Sequence, residues 1–257
     1  MQQTRIYPAK PQKIYLYATC LVDMFDPDTG IDAITVLEKQ GIEVIFVEKQ
    51  TCCGQPAYSS GYTEESRDVA AHQMSLFPQP IPIVILSGSC GGMMVHHYPK
   101  LFANHSLEQQ ATSFSQRVYE FTEFLTNVCR VKLEDSGEPT SVVIHTSCAA
   151  RREMNVHRYS SHLLDQLTNV EIKQAAYEEE CCGFGGTFSV RHPNISEAMV
   201  TDKTQNLINS GAVELISADW GCMLNINGAL EYQGKPIKGQ HIARFLAKRT
   251  CLDGEVS

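Results

Sequence analysis

Two cysteine doublets, Thr51-Cys52-Cys53-Gly54 and Glu180-Cys181-Cys182-Gly183, carry most of the chemistry this sequence offers. Each has one cysteine upstream and one downstream: Cys20 and Cys90 around the first, Cys148 and Cys222 around the second. From Cys20 to Cys148, Cys52 to Cys181, Cys53 to Cys182 and Cys90 to Cys222 the offsets are 128, 129, 129 and 132 residues. Scattered cysteines would not hold an offset that closely at four points. The chain therefore reads as two homologous halves, each expected to be its own packed unit.

Four soft thiolates suit zinc or an iron–sulfur cluster. Structural zinc usually takes Cys-x2–4-Cys pairs on a tight knuckle. Neither half has a Cys-x-x-Cys pair; Met93 and Asn225 stand where its second cysteine would fall. Vicinal side chains on extended backbone diverge, which is awkward for one metal ion and better suited to two irons of a polynuclear cluster. Glycines beside the cysteines (Gly54, Gly91, Gly183, Gly185, Gly221) let backbone approach an inorganic core. On chemistry alone iron–sulfur outweighs zinc, and a strained vicinal disulfide is a distant third reading. Cys129 and Cys251 have no counterpart in the other half and read as small hydrophobes.

Other polar residues near the cysteines carry weaker signals. His145 precedes Cys148 and fits either a hydrogen bond to a cluster or a half-buried structural role. His96 and His97 follow Cys90 and read as surface or packing residues, although histidine can replace cysteine as a cluster ligand. Arg151, Arg152 and Arg191 flank the cysteine loops and fit either charge compensation or solvated loop positions. Gly183-Phe-Gly-Gly186 is not a phosphate loop, since no Gly-Lys-Ser/Thr follows. A dinucleotide fingerprint and a Ser-His-Asp or Cys-His nucleophile arrangement are both absent.

A chain of 257 residues with 43% hydrophobic and 19% charged residues can bury a sizeable core without disulfides. Its net charge of −8 excludes nucleic acid as a main partner. The first residues, Met1-Gln-Gln-Thr-Arg-Ile-Tyr-Pro8, carry no apolar leader segment, and no apolar run is long enough for a membrane span. A cytoplasmic location is expected, where thiols stay reduced and metal or redox chemistry explains cysteines better than disulfides.

The elements that must position the cysteines alternate. Strands are predicted at 13–19, 43–47 and 82–87, with helices at 32–40 and 63–74, Thr63 capping the latter. A glycine-rich turn at 88–92 leads into helix 93–102, and helix 115–129 closes the half. The polar stretch 134–139 reads as an interdomain linker. Strand 141–146, helix 160–168, a short strand from 170, helix 195–209 capped near Gly211, strand 213–217 and helices at 224–230 and 241–248 follow. This is the alternation of parallel sheets with crossover helices. The fold class is α/β: two tandem Rossmann-like domains related by a pseudo-twofold, over 1–133 and 140–257. Ligands of such sheets bind beyond the strands' carboxyl ends, where Cys20, Cys90, Cys148 and Cys222 fall.

Over residues 13–248 the doubled pattern resembles the cysteine-rich CCG domain family. The most specific pieces are Cys181-Cys-Gly-Phe-Gly-Gly-Thr-Phe-Ser189, Ser87-Gly-Ser-Cys-Gly91 and Asp219-Trp-Gly-Cys222. The family includes the cysteine-rich component of heterodisulfide reductase and the iron–sulfur components of glycolate oxidase and anaerobic glycerol-3-phosphate dehydrogenase. The pattern is most similar to the lactate utilisation protein A type, a stand-alone pair of CCG domains. The resemblance implies one site from Cys20, Cys52, Cys53 and Cys90 and another from Cys148, Cys181, Cys182 and Cys222. It implies one or two four-iron (4Fe–4S) clusters per chain, with zinc in one half as the alternative. It also implies electron transfer in an oxidoreductase complex acting on L-lactate, peripheral to the membrane through its partners. Those partners would be a ferredoxin-like iron–sulfur protein and a third subunit. The chain is not expected to be catalytic alone. The heterodisulfide reductase relative has a fifth cysteine per set; Met93 and Asn225 depart from that pattern. A zinc-stabilised scaffold and a thiol–disulfide enzyme are the other two functional readings.

Overall fold

The computed structural model describes residues 5–251. It contains two four-stranded sheets, parallel throughout. The first has the order β2-β1-β3-β4, from β1 (Lys13–Tyr17), β2 (Glu43–Phe46), β3 (Ile83–Ile85) and β4 (Val118–Glu120). The second repeats it as β6-β5-β7-β8, from β5 (Thr140–His145), β6 (Val170–Lys173), β7 (Glu214–Ser217) and β8 (Gly239–His241). The α/β class and the repeated Rossmann-like topology follow. Ile14, Tyr15, Leu16 and Tyr17 are all buried. That run is continuous because a parallel sheet is covered on both faces.

Register brings the ends of the strands together. Tyr17 lies beside Ile85 and Ile85 beside Glu120; His145 lies beside Ser217 and Ser217 beside His241. Each sheet thus has one edge from which the cysteine loops leave.

Three local expectations are corrected. The helix expected over 115–129 is not continuous. A helix at Glu108–Gln116 stops for β4, and helical structure resumes from Phe121 to Cys129. Val118, Tyr119 and Glu120 are all buried, and pairing with β3 overrides local helix preference. The last segment likewise begins with β8 before the Ile242–Thr250 helix. The glycine-rich segment Gly88–Gly92 is itself helical and runs through a π-helical turn at Met93–His97 into Tyr98–Leu101. The Ser87 side chain caps it by accepting from Cys90 N at 3.4 Å.

The halves are not separate packed units. One apolar cluster runs from Ile14, Leu16 and Leu37 through Val142 and Ile144 to Ile242 and Leu246. A second, with Tyr17, Phe77, Phe102 and Phe114, covers the other face of the first sheet. The halves exchange helices. Ile242–Thr250 packs on Pro27–Lys39 of the first half, and Phe121–Cys129 packs on Val156–Leu164 of the second. Arg244 pairs with Asp26 at 2.7 Å across this contact. The stretch 134–139 has no helix or strand and is pinned to the last helix through Asp135 and Arg249, 2.8 Å apart. Among the described residues no helix is long and apolar enough to cross a membrane.

Candidate metal centres

Equivalent elements hold equivalent cysteines. Cys20 and Cys148 are the first residues of the helices Cys20–Phe25 and Cys148–Met154. Cys90 and Cys222 are the third residues of the helices that begin at Gly88 and Trp220. The doublets lie in the loops after β2 and β6. The residues entering the first pair of helices are strained in the same way: Thr19 has φ 73° and Ser147 φ 37°. Non-glycine residues persist there only where their surroundings hold them, at a cost of about 1–3 kcal/mol each.

The thiols converge. In the first half Cys20 hydrogen-bonds Cys52, and Cys53 hydrogen-bonds both Cys52 and Cys90. In the second, Cys148 Sγ lies 3.9 Å from Cys181 Sγ, and Cys182 hydrogen-bonds Cys181 and Cys222. All eight are free thiols. The glycine after each doublet fixes the loop. Gly54 (φ 85°) and Gly183 (φ 80°) are left-handed, and each donates its N–H to the first sulfur of its doublet at 3.4 Å.

Electrostatics is uneven within each set. Cys52 is pulled down by hydrogen bonds from Cys20 and Cys53, and by the Gly54 N–H, against its burial. Cys181 is pulled down by Cys148 and Cys182 and by the Gly183 N–H, again against burial. The donors move the other way: their hydrogen bonds and burial push Cys20, Cys53, Cys148 and Cys182 up. Cys222 is also held down, chiefly by its bond with Cys182. Four neighbouring thiols cannot all ionise unless a cation offsets the charge. Two sets of four soft donors, partly covered, with backbone N–H groups at their edge, suit the chemistry of a soft metal or an iron–sulfur cluster; among the described residues only His145, Cys182 and Cys222 lie close enough together to share one ion.

The two centres face each other. The Cys90 helix packs on the Cys148 helix, and the Cys20 helix on the Cys222 helix. A Cβ on Gly88 would meet Ala150 Cβ at 2.3 Å, which is how closely the first pair approaches. Ser60 and Thr187, from the two doublet loops, are hydrogen-bonded at 2.9 Å. Buried Asp219 joins the loops, accepting from Ser87 Oγ (3.3 Å), Ser89 N (3.0 Å) and Ser147 Oγ (3.1 Å). Burial, aided by the Cys222 charge, pushes its carboxyl up to about 6.

The remaining sequence candidates separate. His96 bonds Glu153 O at 2.9 Å; His97 bonds Glu153 Oε1 at 3.0 Å and Tyr58 Oη at 3.2 Å. Both therefore tie the halves together. Arg151 pairs with Glu178 and Glu179, each at 2.8 Å, whereas Arg152 and Arg191 are exposed. Cys129 packs against the core, and burial pushes it up to about 12; Cys251 packs against the same core. At the places of a fifth cysteine, Met93 is fully buried in apolar packing, and Asn225 donates to Cys182 O at 2.7 Å. His145 is 2% exposed, and its donor nitrogen, Cys182 Sγ and Cys222 Sγ all lie within 4.8 Å of one another. Asp219 stood in the sequence only as part of the Asp219-Trp-Gly-Cys222 motif, and its role as a bridge between the halves was missed. The signal for that role was its position, equivalent to Ser87 when the offset between Cys90 and Cys222 is applied.

A model described as a cysteine-rich domain, CCG, matches residues 14–95 and again 142–227. The chain belongs to the CCG cysteine-rich domain family. A relative from Halalkalibacterium halodurans, 40% identical over 235 residues, is covered to 96% by 91% of this chain. One from Shouchella clausii is 42% identical over 236 residues, 91% of this chain and 98% of that protein. Both are named Lactate utilization protein A. Among solved structures, a hypothetical protein from Helicobacter pylori aligns with 99% of this chain and 51% of its own at a TM-score of 0.64 and 10% identity. That likeness shows the fold alone.

Proposed function

We propose that this chain is an iron–sulfur electron-transfer subunit of a complex that interconverts L-lactate and pyruvate. The observation that carries the reading is the pair of four-thiol sets, one per half and face to face. The substrate comes from the relatives named Lactate utilization protein A, which this chain matches over nearly its whole length.

An iron–sulfur cluster in each set would accept and release one electron at a time. The chain's own residues do the rest. The thiolates bind the group and set its charge. Gly54 and Gly183 aim N–H groups at the first doublet sulfurs. Such donors offset negative charge and so favour the reduced state. Asp219 and the helix contacts between the halves hold the two centres at a fixed separation, as a path for electrons requires. The partners are a ferredoxin-like iron–sulfur protein and a third subunit. No step of lactate oxidation is assigned to this chain.

Serine replacements test the reading in protein purified without oxygen. Cys53→Ser and Cys182→Ser should each remove about half of the visible absorption and bound iron, and the double variant nearly all of both. Unchanged colour and iron in the double variant would sink the proposal.

A further inference from the structure

The two thiol sets are alike, but the residues at the ends of their central strands are not. Tyr17 ends β1 and His145 ends β5, each three residues before the first cysteine of its set. The Tyr17 hydroxyl is committed: it donates to Thr51 O. His145 has no such partner. It is 2% exposed, and neither Nδ1 nor Nε2 has an oxygen or nitrogen within hydrogen-bond reach. A buried imidazole with no oxygen or nitrogen partner is costly, and the one polar group that does bond it is the Cys222 thiol. What lies near it is sulfur, the thiols of Cys182 and Cys222. No other trio of His, Cys, Asp or Glu among the described residues comes together in this way.

Asn225 is excluded as an extra donor, since its amide is spent on Cys182 O and on Ser196 Oγ at 3.4 Å. The first set is closed on the matching side by Met93, which has no exposure. The second set therefore has one nitrogen donor held against its sulfurs, and the first has none.

We infer that His145 is a fifth, nitrogen ligand of the group held by Cys148, Cys181, Cys182 and Cys222, so that the two centres are chemically unlike. This rests on the iron–sulfur reading above. The first centre is all sulfur, with Tyr17 beside it; the second is sulfur plus one imidazole. Exchanging thiolate for neutral imidazole raises a cluster's potential, because less negative charge surrounds the iron. A fifth donor that adds no charge leaves the second centre easier to reduce than one closed by a fifth thiolate.

The test uses the full chain purified without oxygen, grown with 15N-histidine or with natural histidine, and reduced. Pulsed EPR should show one histidine nitrogen coupled to one of the reduced centres, with the coupling changing on 15N substitution. The coupling should vanish in His145→Cys, which offers a soft donor in its place, while iron and sulfide stay at the wild-type level. The potential of that centre should fall, and the other centre should be unchanged. His145→Gln should lose the coupling as well. Absence of coupling in the wild type, or its survival in both variants, overturns the inference and leaves the iron–sulfur reading standing. If the chain takes up zinc and no iron, that reading fails separately. Zinc-edge X-ray absorption then decides the ligand: a nitrogen scatterer lost in His145→Cys sustains the assignment, and an all-sulfur shell refutes it.

Discussion

Gly88→Ala probes the contact that brings the two centres together. The new Cβ would sit 2.3 Å from Ala150 Cβ, 2.8 Å from Val156 Cγ2 and 3.0 Å from Ala150 Cα. Carbon atoms in contact lie about 3.5–4.0 Å apart, so the Cys90 and Cys148 helices must part by roughly 1 Å or more. Ala150 has no rotamer with which to yield. Overpacking of this kind costs about 1–3 kcal/mol. At about 2–4 °C per kcal/mol for a chain of this size, the melting temperature should fall by about 2–12 °C. Ala150→Gly alone should cost about 0.5–1 kcal/mol through helix propensity. Combined with Gly88→Ala it removes the shortest contact, so the double variant should be more stable than the two losses added together. The assay is thermal unfolding of all four proteins, prepared without oxygen at one concentration and read as a double-mutant cycle. Gly88→Ala melting with the wild type, or losses that simply add, would refute the close packing of these two helices.

Other residues give sharper local tests. Glu120 is buried, and burial, opposed by hydrogen bonds from Thr122 and Glu123, pushes its carboxyl up to about 8. The fold keeps a proton that the unfolded chain releases above its ordinary value of 4.5, so Glu120 stability is full below that value and falls as pH rises towards 8. Its slope is at most about 1.4 kcal/mol per pH unit. Glu120→Gln should flatten that part of the urea-midpoint profile, and an unchanged slope would exclude Glu120 as its source. Asp219→Ala strands Ser89 N–H and two serine hydroxyls and should cost about 2–4 kcal/mol, with Asp219→Asn costing less; equal losses in urea unfolding would contradict the bonding described. Gly54→Ala should cost the left-handed penalty of about 1–2 kcal/mol. Gly183→Ala should cost more, because its Cβ meets Ser196 O at 2.7 Å while the nearest atoms to Gly54 are at 3.4 Å. Equal melting temperatures for the two would tell against that geometry.

Much of this architecture was legible because parallel strands are written as apolar runs. Ile14–Tyr17, Ile83–Ile85 and Val142–Ile144 stand out, and the cysteines fall where such strands end. β4 and β8 were hidden for the opposite reason. Each has three residues, Val118-Tyr119-Glu120 and Gly239-Gln240-His241, and is a strand only because a neighbour offers a pairing edge. The exchange of helices between halves left no local trace, since an amphipathic helix does not say which sheet it will cover. Convergence of the thiols followed from topology. The identity of the extra donor did not: His96, His97 and His145 look alike in sequence, and only burial and missing partners set His145 apart. Asp219 was invisible as a bridge because its donors lie as far off as Ser87.

The central claim is that each half holds an iron–sulfur group. It is tested most directly by counting iron, sulfide and zinc per chain in protein purified and reconstituted without oxygen, with visible absorption and EPR on the same sample. About eight irons with matching sulfide, and two reduced centres with different spectra, is the predicted result for two four-iron clusters. Stoichiometric zinc without iron, persisting after reconstitution, would contradict it and leave the chain a scaffold beside the electron path.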